Sequence, residues 1–241
     1  MKLTRLFVLV LSNALLVPTA TAQLLIDPST QASQGATRYG VYLGTGTTDY
    51  DIEESGLTGD ISRDVLSGFA AYGLVSTIDV YAAAAYGFDT DGGDGTEIAI
   101  GLNGGLPWRP IKDVDLSWYS QVSIFDETLE DSNDGIKTEN VLSEWLVGVV
   151  AAKDLNPDLR VYGGIEAVAY SLGETVLKVE ELDDTESDFE RSDRLGIRAG
   201  VDYKGVQMHV GLGHESSVLL GLRLPFTGFA SQRAPEPMPE P

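Results

Sequence analysis

Residues 206–226, VQMHVGLGHESSVLLGLRLPF, decide the fold. Val206, Met208, Val210 and Leu212 alternate with Gln207, His209, Gly211 and Gly213. After the polar turn at 214–217, Val218, Leu220, Leu222, Leu224 and Phe226 alternate with Leu219, Gly221 and Arg223. An apolar residue at every second position lines one face of a β-strand, whereas a helix needs spacings of three and four. Two such runs joined by a tight polar turn make a hairpin.

The same alternation runs upstream. Leu195, Ile197, Ala199, Val201 and Tyr203 oppose Arg194, Gly196, Arg198, Gly200 and Asp202. Ile98, Ile100 and Leu102 oppose Glu97, Gly101 and Asn103, while Trp118, Val122 and Ile124 oppose Asp115, Gln121 and Ser123. Residues 65–88 are alanine-rich, but interspersed Gly, Val, Ile and Tyr and the break at Ser76-Thr77 favour a hairpin over a helix. Ten strands are expected, over about 37–48, 65–75, 77–88, 96–106, 113–125, 140–152, 160–172, 190–203, 206–214 and 217–226. Connections after the even strands are short turns. Those after the odd strands are longer or acidic, as at 49–64, 89–97, 126–139 and 173–193. The expected fold is all-β: a single closed antiparallel up-and-down transmembrane β-barrel of about ten strands, eight being the alternative.

Bulk properties fit an exported chain. Lys2 and Arg5 precede an apolar run at 6–16, and Ala20-Thr21-Ala22 gives a cleavage pattern before Gln23, so 1–22 is expected to be a signal peptide. The run is too short to span a bilayer as a helix, which takes about twenty residues. Residues 23–36 are expected as an N-terminal periplasmic segment, 37–226 as the barrel, and 227–241, ending APEPMPEP, as a Pro/Glu-rich periplasmic tail. The formal charge is −21, and losing Lys2 and Arg5 takes it to −23. That sign argues against nucleic acid as a partner. With no cysteine there is no disulfide framework and no thiolate metal site.

Alternation alone does not separate a membrane barrel from a soluble exported β-protein. The polar face helps, because it carries Arg38, Glu97, Asp115, Gln121, Glu144, Glu166, Arg194, Arg198, Asp202, His209 and Arg223. Charges of both signs on one face can pair across a narrow lumen. The apolar face then meets lipid, with Tyr203 and Phe226 at the turn side and Phe88 and Phe125 at the loop side as interfacial aromatics. Trp118 and Trp145, in mid-strand, fit no girdle. The signal segment, the Gly-aromatic strands 68–73 and 85–88, and the last strand ending at Phe226 resemble small bacterial outer-membrane barrels of the OmpA-like or "porin family" type. The resemblance implies an outer-membrane location, and an even strand number with periplasmic short turns places both termini in the periplasm. Its implied partners are outer-membrane lipid, lipopolysaccharide and the barrel-assembly machinery. A monomer is the expected state.

Chemistry-bearing constellations are sparse. His209 lacks the spaced acid of a protease dyad, and His214-Glu215-Ser216 is similar to the His-x-Ser of lipid A deacylases but has no Glu after it in the strand. Asp89, Asp91 and Asp94, and Asp131 and Asp134, are weak candidate calcium ligands in glycine-bearing loops, without the EF-hand order. No catalytic residue and no cofactor are therefore expected. The expected function is a non-enzymatic outer-membrane barrel with a structural or surface-interaction role and at most a narrow pore. A small-solute channel, selecting anions at Arg194, Arg198 and Arg223, an adhesin and a soluble exported protein are the alternatives.

Overall fold

The computed structural model describes residues 26–52, 57–88, 94–107, 110–131, 136–179 and 184–224. Among them are eleven strands: β1 (Thr37–Ile52), β2 (Leu57–Val75), β3 (Ile78–Phe88), β4 (Asp94–Leu106), β5 (Asp115–Asp131), β6 (Ile136–Asn156), β7 (Leu159–Val179), β8 (Thr185–Arg191), β9 (Leu195–Tyr203), β10 (Val206–Gly213) and β11 (Ser216–Leu224). All pair antiparallel with their neighbours, and β11 returns to β1, so the sheet is closed. β8 and β9 are two halves of one expected strand, both paired to β7. The main ring therefore has ten strands, as the alternation predicts. The expected signal peptide and C-terminal tail lie outside the described residues.

Alternation in sequence becomes alternation of faces. On β3, Val80, Ala82, Ala84, Tyr86 and Phe88 point outward, and Asp79, Tyr81, Ala83 and Ala85 point inward. Outward residues stay strongly exposed even when large and apolar, such as Ile98 at 66%, Ile165 at 68% and Leu195 at 73%. Short turns cluster at one end, here the turn end. At Lys204-Gly205 both φ angles are positive (55° and 89°), which a two-residue turn needs to match the twist of its flanking strands.

Two expectations about the strands are corrected. The acidic stretches 49–64, 126–139 and 173–193 are largely strand rather than loop, for β1–β2 and β5 to β8 continue past the apolar band as paired hairpins. Their outward face turns polar at Thr45, Thr47 and Asp49 on β1 and at Asp126 and Thr128 on β5, while hydrogen bonding continues. Phe125 is buried in the interior and is no interfacial aromatic, because it shares the inward parity of Gln121 and Ser123. Tyr203 and Phe88 are exposed, and Phe226 lies outside the described residues.

The ring also changes size. β10 and β11 end early, at 213–216, while β8 crosses above them to pair with β1 through Tyr50↔Arg191, Asp51↔Glu190 and Ile52↔Phe189. Ten strands thus give way to eight toward the loop end. The His214-Glu215 turn is folded inward beneath that seam and is buried, with the His214 N–H donating to the Leu195 carbonyl at 2.8 Å.

Candidate functional site: a filled lumen

Residues 26–33, within the stretch 23–36 expected as a periplasmic segment, enter the barrel at its turn end. Ile26, Asp27, Ser29 and Ala32 are buried there. The segment has no periodic side-chain pattern, and the wall holds it largely through its backbone. Asn103 Nδ2 donates to the Thr30 carbonyl at 2.7 Å, Ser117 Oγ to that of Pro28 at 2.8 Å, and Arg160 to that of Ser29 at 2.8 Å. The Ala32 N–H donates to Asp79 at 2.8 Å. Asp27 is the anchor, accepting from Ser29 N (2.8 Å), Ser29 Oγ (2.7 Å) and Gln207 Nε2 (2.8 Å). Arg38 bridges plug and wall, reaching Thr30 at 2.8 Å and Asp79 at 3.5 Å. Such density is what a buried backbone requires, since each unpaired group costs about 1–3 kcal/mol.

Above the plug lies an aromatic layer of Tyr42, Phe69, Tyr81, Tyr119, Tyr162 and His209. Five of these rings rest on an inward glycine directly opposite on the next strand: Tyr42 on Gly221, Phe69 on Gly40, Tyr81 on Gly101, Tyr119 on Gly148 and Tyr162 on Gly200. A Cβ at any of these glycines would come within 2.1–2.4 Å of the ring. Glycine supplies the space that lets large rings lie flat in a narrow bore. The hydroxyls are satisfied sideways: Tyr42 donates to Gln207 at 2.7 Å, Tyr81 to Gln121 at 3.3 Å, Tyr119 to Glu166, and Tyr162 bonds His209.

A charged layer follows. Arg198 grips Glu166 with two bonds, at 2.9 and 3.1 Å, and His214 Nε2 meets the same carboxylate at 3.0 Å. Arg191 is bidentate to Glu144, with its NH2 at 2.7 Å, and also donates to the His214 carbonyl at 2.7 Å. Glu215 reaches Arg198 only at 4.0 Å, and neither of its oxygens has a hydrogen-bond partner. At the loop end Tyr50, Phe125, Leu142 and Phe189 close the bore with an apolar cluster. Beyond the band, Lys178 (2.7 Å) and Lys137 (2.9 Å) hold the Glu139 carboxyl below the usual range.

Most sequence-selected polar residues sit in these layers. Arg38, Glu97, Gln121, Glu144, Glu166, Arg198, Asp202 and His209 are buried. Asp115 is half exposed at the turn-end rim, paired to Arg160 at 3.2 Å, and Arg223 is part-exposed there, 3.0 Å from Asp202. Arg194 is corrected: it lies in the break between β8 and β9, exposed, and pairs with Glu190. That break slips the face by one residue. Arg191 and Arg198, seven apart, both point inward, which an uninterrupted strand forbids. Acids predominate among the buried charges, for Asp27, Asp79, Glu97, Glu127, Glu144, Glu166, Asp202 and Glu215 outnumber Arg38, Arg191 and Arg198.

The candidate triad does not assemble. Glu166, 48 residues upstream of His214, supplies the acid that the sequence lacks after Ser216. However, His214 is buried with its other ring nitrogen 3.3 Å from Arg191, whereas Ser216 is exposed. Among the candidate calcium ligands, Asp94 is exposed at the start of β4. Asp89, Asp91 and Asp134, and the Asp131 side chain, lie outside the described residues. No group of three or more His, Asp or Glu placed to hold a metal occurs among the described residues.

No family model matches the chain, and no curated protein does. Among solved structures, the outer membrane protease OmpT from Escherichia coli is similar with a TM-score of 0.49 at 11% identity, over 82% of this chain and 98% of that one. Outer membrane protein OprG from Pseudomonas aeruginosa gives 0.40 at 12% identity, over 80% and 98%. The N-terminal β-barrel domain of OprF from Pseudomonas aeruginosa gives 0.35 at 7%, over 78% and 100%. From its own strand pairing and side-chain layers, the chain is a closed antiparallel β-barrel, ten strands round, whose described lumen is packed from turn end to loop end.

Proposed function

We propose that this chain is a bacterial outer-membrane barrel, turn end and termini in the periplasm, that serves a structural or surface-interaction role and conducts no solutes. The filled lumen carries the reading: plug, aromatic layer, paired charges and apolar cap occupy the bore in series. The outward apolar belt supports the location, because contiguous exposed hydrophobic surface on this scale is untenable in water. Its height agrees too. The outward apolar positions of β3 span nine residues, Val80 to Phe88, close to the roughly 9–11 that a tilted strand needs. The acidic hairpins then project outside, where they are available to partners. An anion channel has less support, since Arg198 is bound to Glu166, Arg223 to Asp202, and Arg194 points away from the bore.

Two measurements test this. The chain should fractionate with outer membranes and migrate faster on unheated than on heated gels; a soluble fraction with unshifted mobility would overturn the location. In planar bilayers the full chain should give no steady current, and large ohmic steps would overturn the sealed lumen.

A further inference from the structure

The outer wall has one feature that a featureless lipid-facing cylinder would lack. A recess of about 930 Å³ opens on the outer face of β5, β6, β7, β9 and β10. Its origin is visible in the register. Trp118, Val149, Ile165, Ile197 and Leu212 lie opposite one another in a single cross-strand row of large side chains. The next row toward the loop end runs Ser120, Val147, Ala167 and then Leu195, so it is small over β5 to β7 and rises again at β9. Beyond it Trp145 stands up again, its Nε1–H donating to Ser120 Oγ at 2.8 Å. The small row is a floor between two tryptophan-bearing walls. It lies beside the break before β9 and the early end of β10, where the ring loses two strands and steps inward.

On the reading that the outer face meets lipid, we propose that this recess binds one acyl chain of a membrane phospholipid as a retained ligand. The lining chemistry selects hydrocarbon. Its outward side chains are apolar except Ser120, and that hydroxyl is engaged by Trp145. The recess is open to the side rather than enclosed, as entry of a chain from the bilayer requires. The recess is continuous with the apolar belt, so a chain can enter sideways while its headgroup stays at the interface. A second copy of the barrel fits poorly, because two identical concavities brought face to face by two-fold symmetry enclose a void. The arrangement also gives a place to Trp118 and Trp145, which fit no interfacial girdle.

The test uses the full chain reconstituted in vesicles of phosphatidylethanolamine and phosphatidylglycerol, extracted in detergent, and examined by native mass spectrometry after washing. One phospholipid per barrel should survive washing. Ala167→Phe, which fills the floor from outside, should cut the retained fraction at least tenfold, and Ile98→Phe on another part of the wall should not change it. Ser120→Leu serves as a second filling variant should Ala167→Phe lose heat-modifiable mobility. Absence of retained lipid, equal retention in the filled variant, or a retained second barrel in place of lipid would each overturn the proposal. Wild-type gel mobility separates the two readings: with the shift present, lipid loss sinks the recess alone, and without the shift the membrane location itself falls.

Discussion

Two buried glutamates in the charged layer have opposite prospects. Glu144 takes both arms of Arg191, a guanidinium with no exposed surface, while Glu215 sits 4.0 Å from Arg198 with both oxygens lacking hydrogen bonds. Removing one partner of a tight buried pair leaves an uncompensated charge, at a cost of about 3–5 kcal/mol. Glu144→Gln should therefore lower the unfolding free energy of the barrel, read from urea titration, by that amount. Glu215→Gln removes a charge that has little to lose, since Arg198 keeps its bidentate grip on Glu166. Its midpoint should hold or rise. If both variants lost stability equally, the layer would be acting as one undivided network. Surface ions give a contrast: Arg194→Ala breaks only an exposed pair with Glu190 and should change stability by less than about 1 kcal/mol.

At the scale of strands, the repeated unit is a ring lying on a glycine of the neighbouring strand. Gly221→Ala would drive a Cβ to 2.1 Å from the Tyr42 ring, whereas Gly68, on the outward face of β2, has nothing closer than 3.7 Å. Overpacking of this kind costs about 1–3 kcal/mol. Gly221→Ala should lose that much unfolding free energy in urea titrations followed by gel mobility, with Gly68→Ala within about 0.5 kcal/mol of the parent. A Gly68→Ala loss as large as that of Gly221→Ala would mean that backbone freedom, not ring packing, sets the requirement. These strands were legible in the sequence wherever one face met an apolar environment, because hydrophobic alternation reports environment rather than hydrogen bonding. Past Leu43 on β1 or Ile124 on β5 the outward face becomes polar, the alternation fades, and strand reads as acidic loop. The break at 192–194 left no signal strong enough to reveal that Arg194 leaves the register set by Arg198. The Glu166–His214 contact joins positions 48 apart through a shared interior, which no local spacing encodes.

For the whole molecule, the plug was the least legible part, and it poses the sharpest question about the sealed lumen. Residues 26–33 are recognised mainly through carbonyls and one carboxylate, so their sequence carries no period that a reader could find. If they alone blocked the bore, removing them would open a pore. The layers above argue otherwise. Tyr42, Tyr81, Tyr119 and Tyr162 belong to the wall and are buried, with the Arg198–Glu166 and Arg191–Glu144 pairs and the Tyr50–Phe189 cap beyond them. A refolded chain lacking residues 23–33 should therefore remain a heat-modifiable barrel that passes no steady current. Its stability should nonetheless fall by several kcal/mol: Asn103, Ser117, Arg160, Gln207 and Asp79 each lose a partner worth about 0.5–1.5 kcal/mol, even with water admitted at the turn end. Denaturant titration and bilayer recording on the same preparation decide the matter. A stable, ohmic conductance after deletion would make the plug a gate and the layers above it passable. A destabilised but silent barrel would mean that closure is built into the wall, with the plug acting as a structural staple at its turn-end mouth.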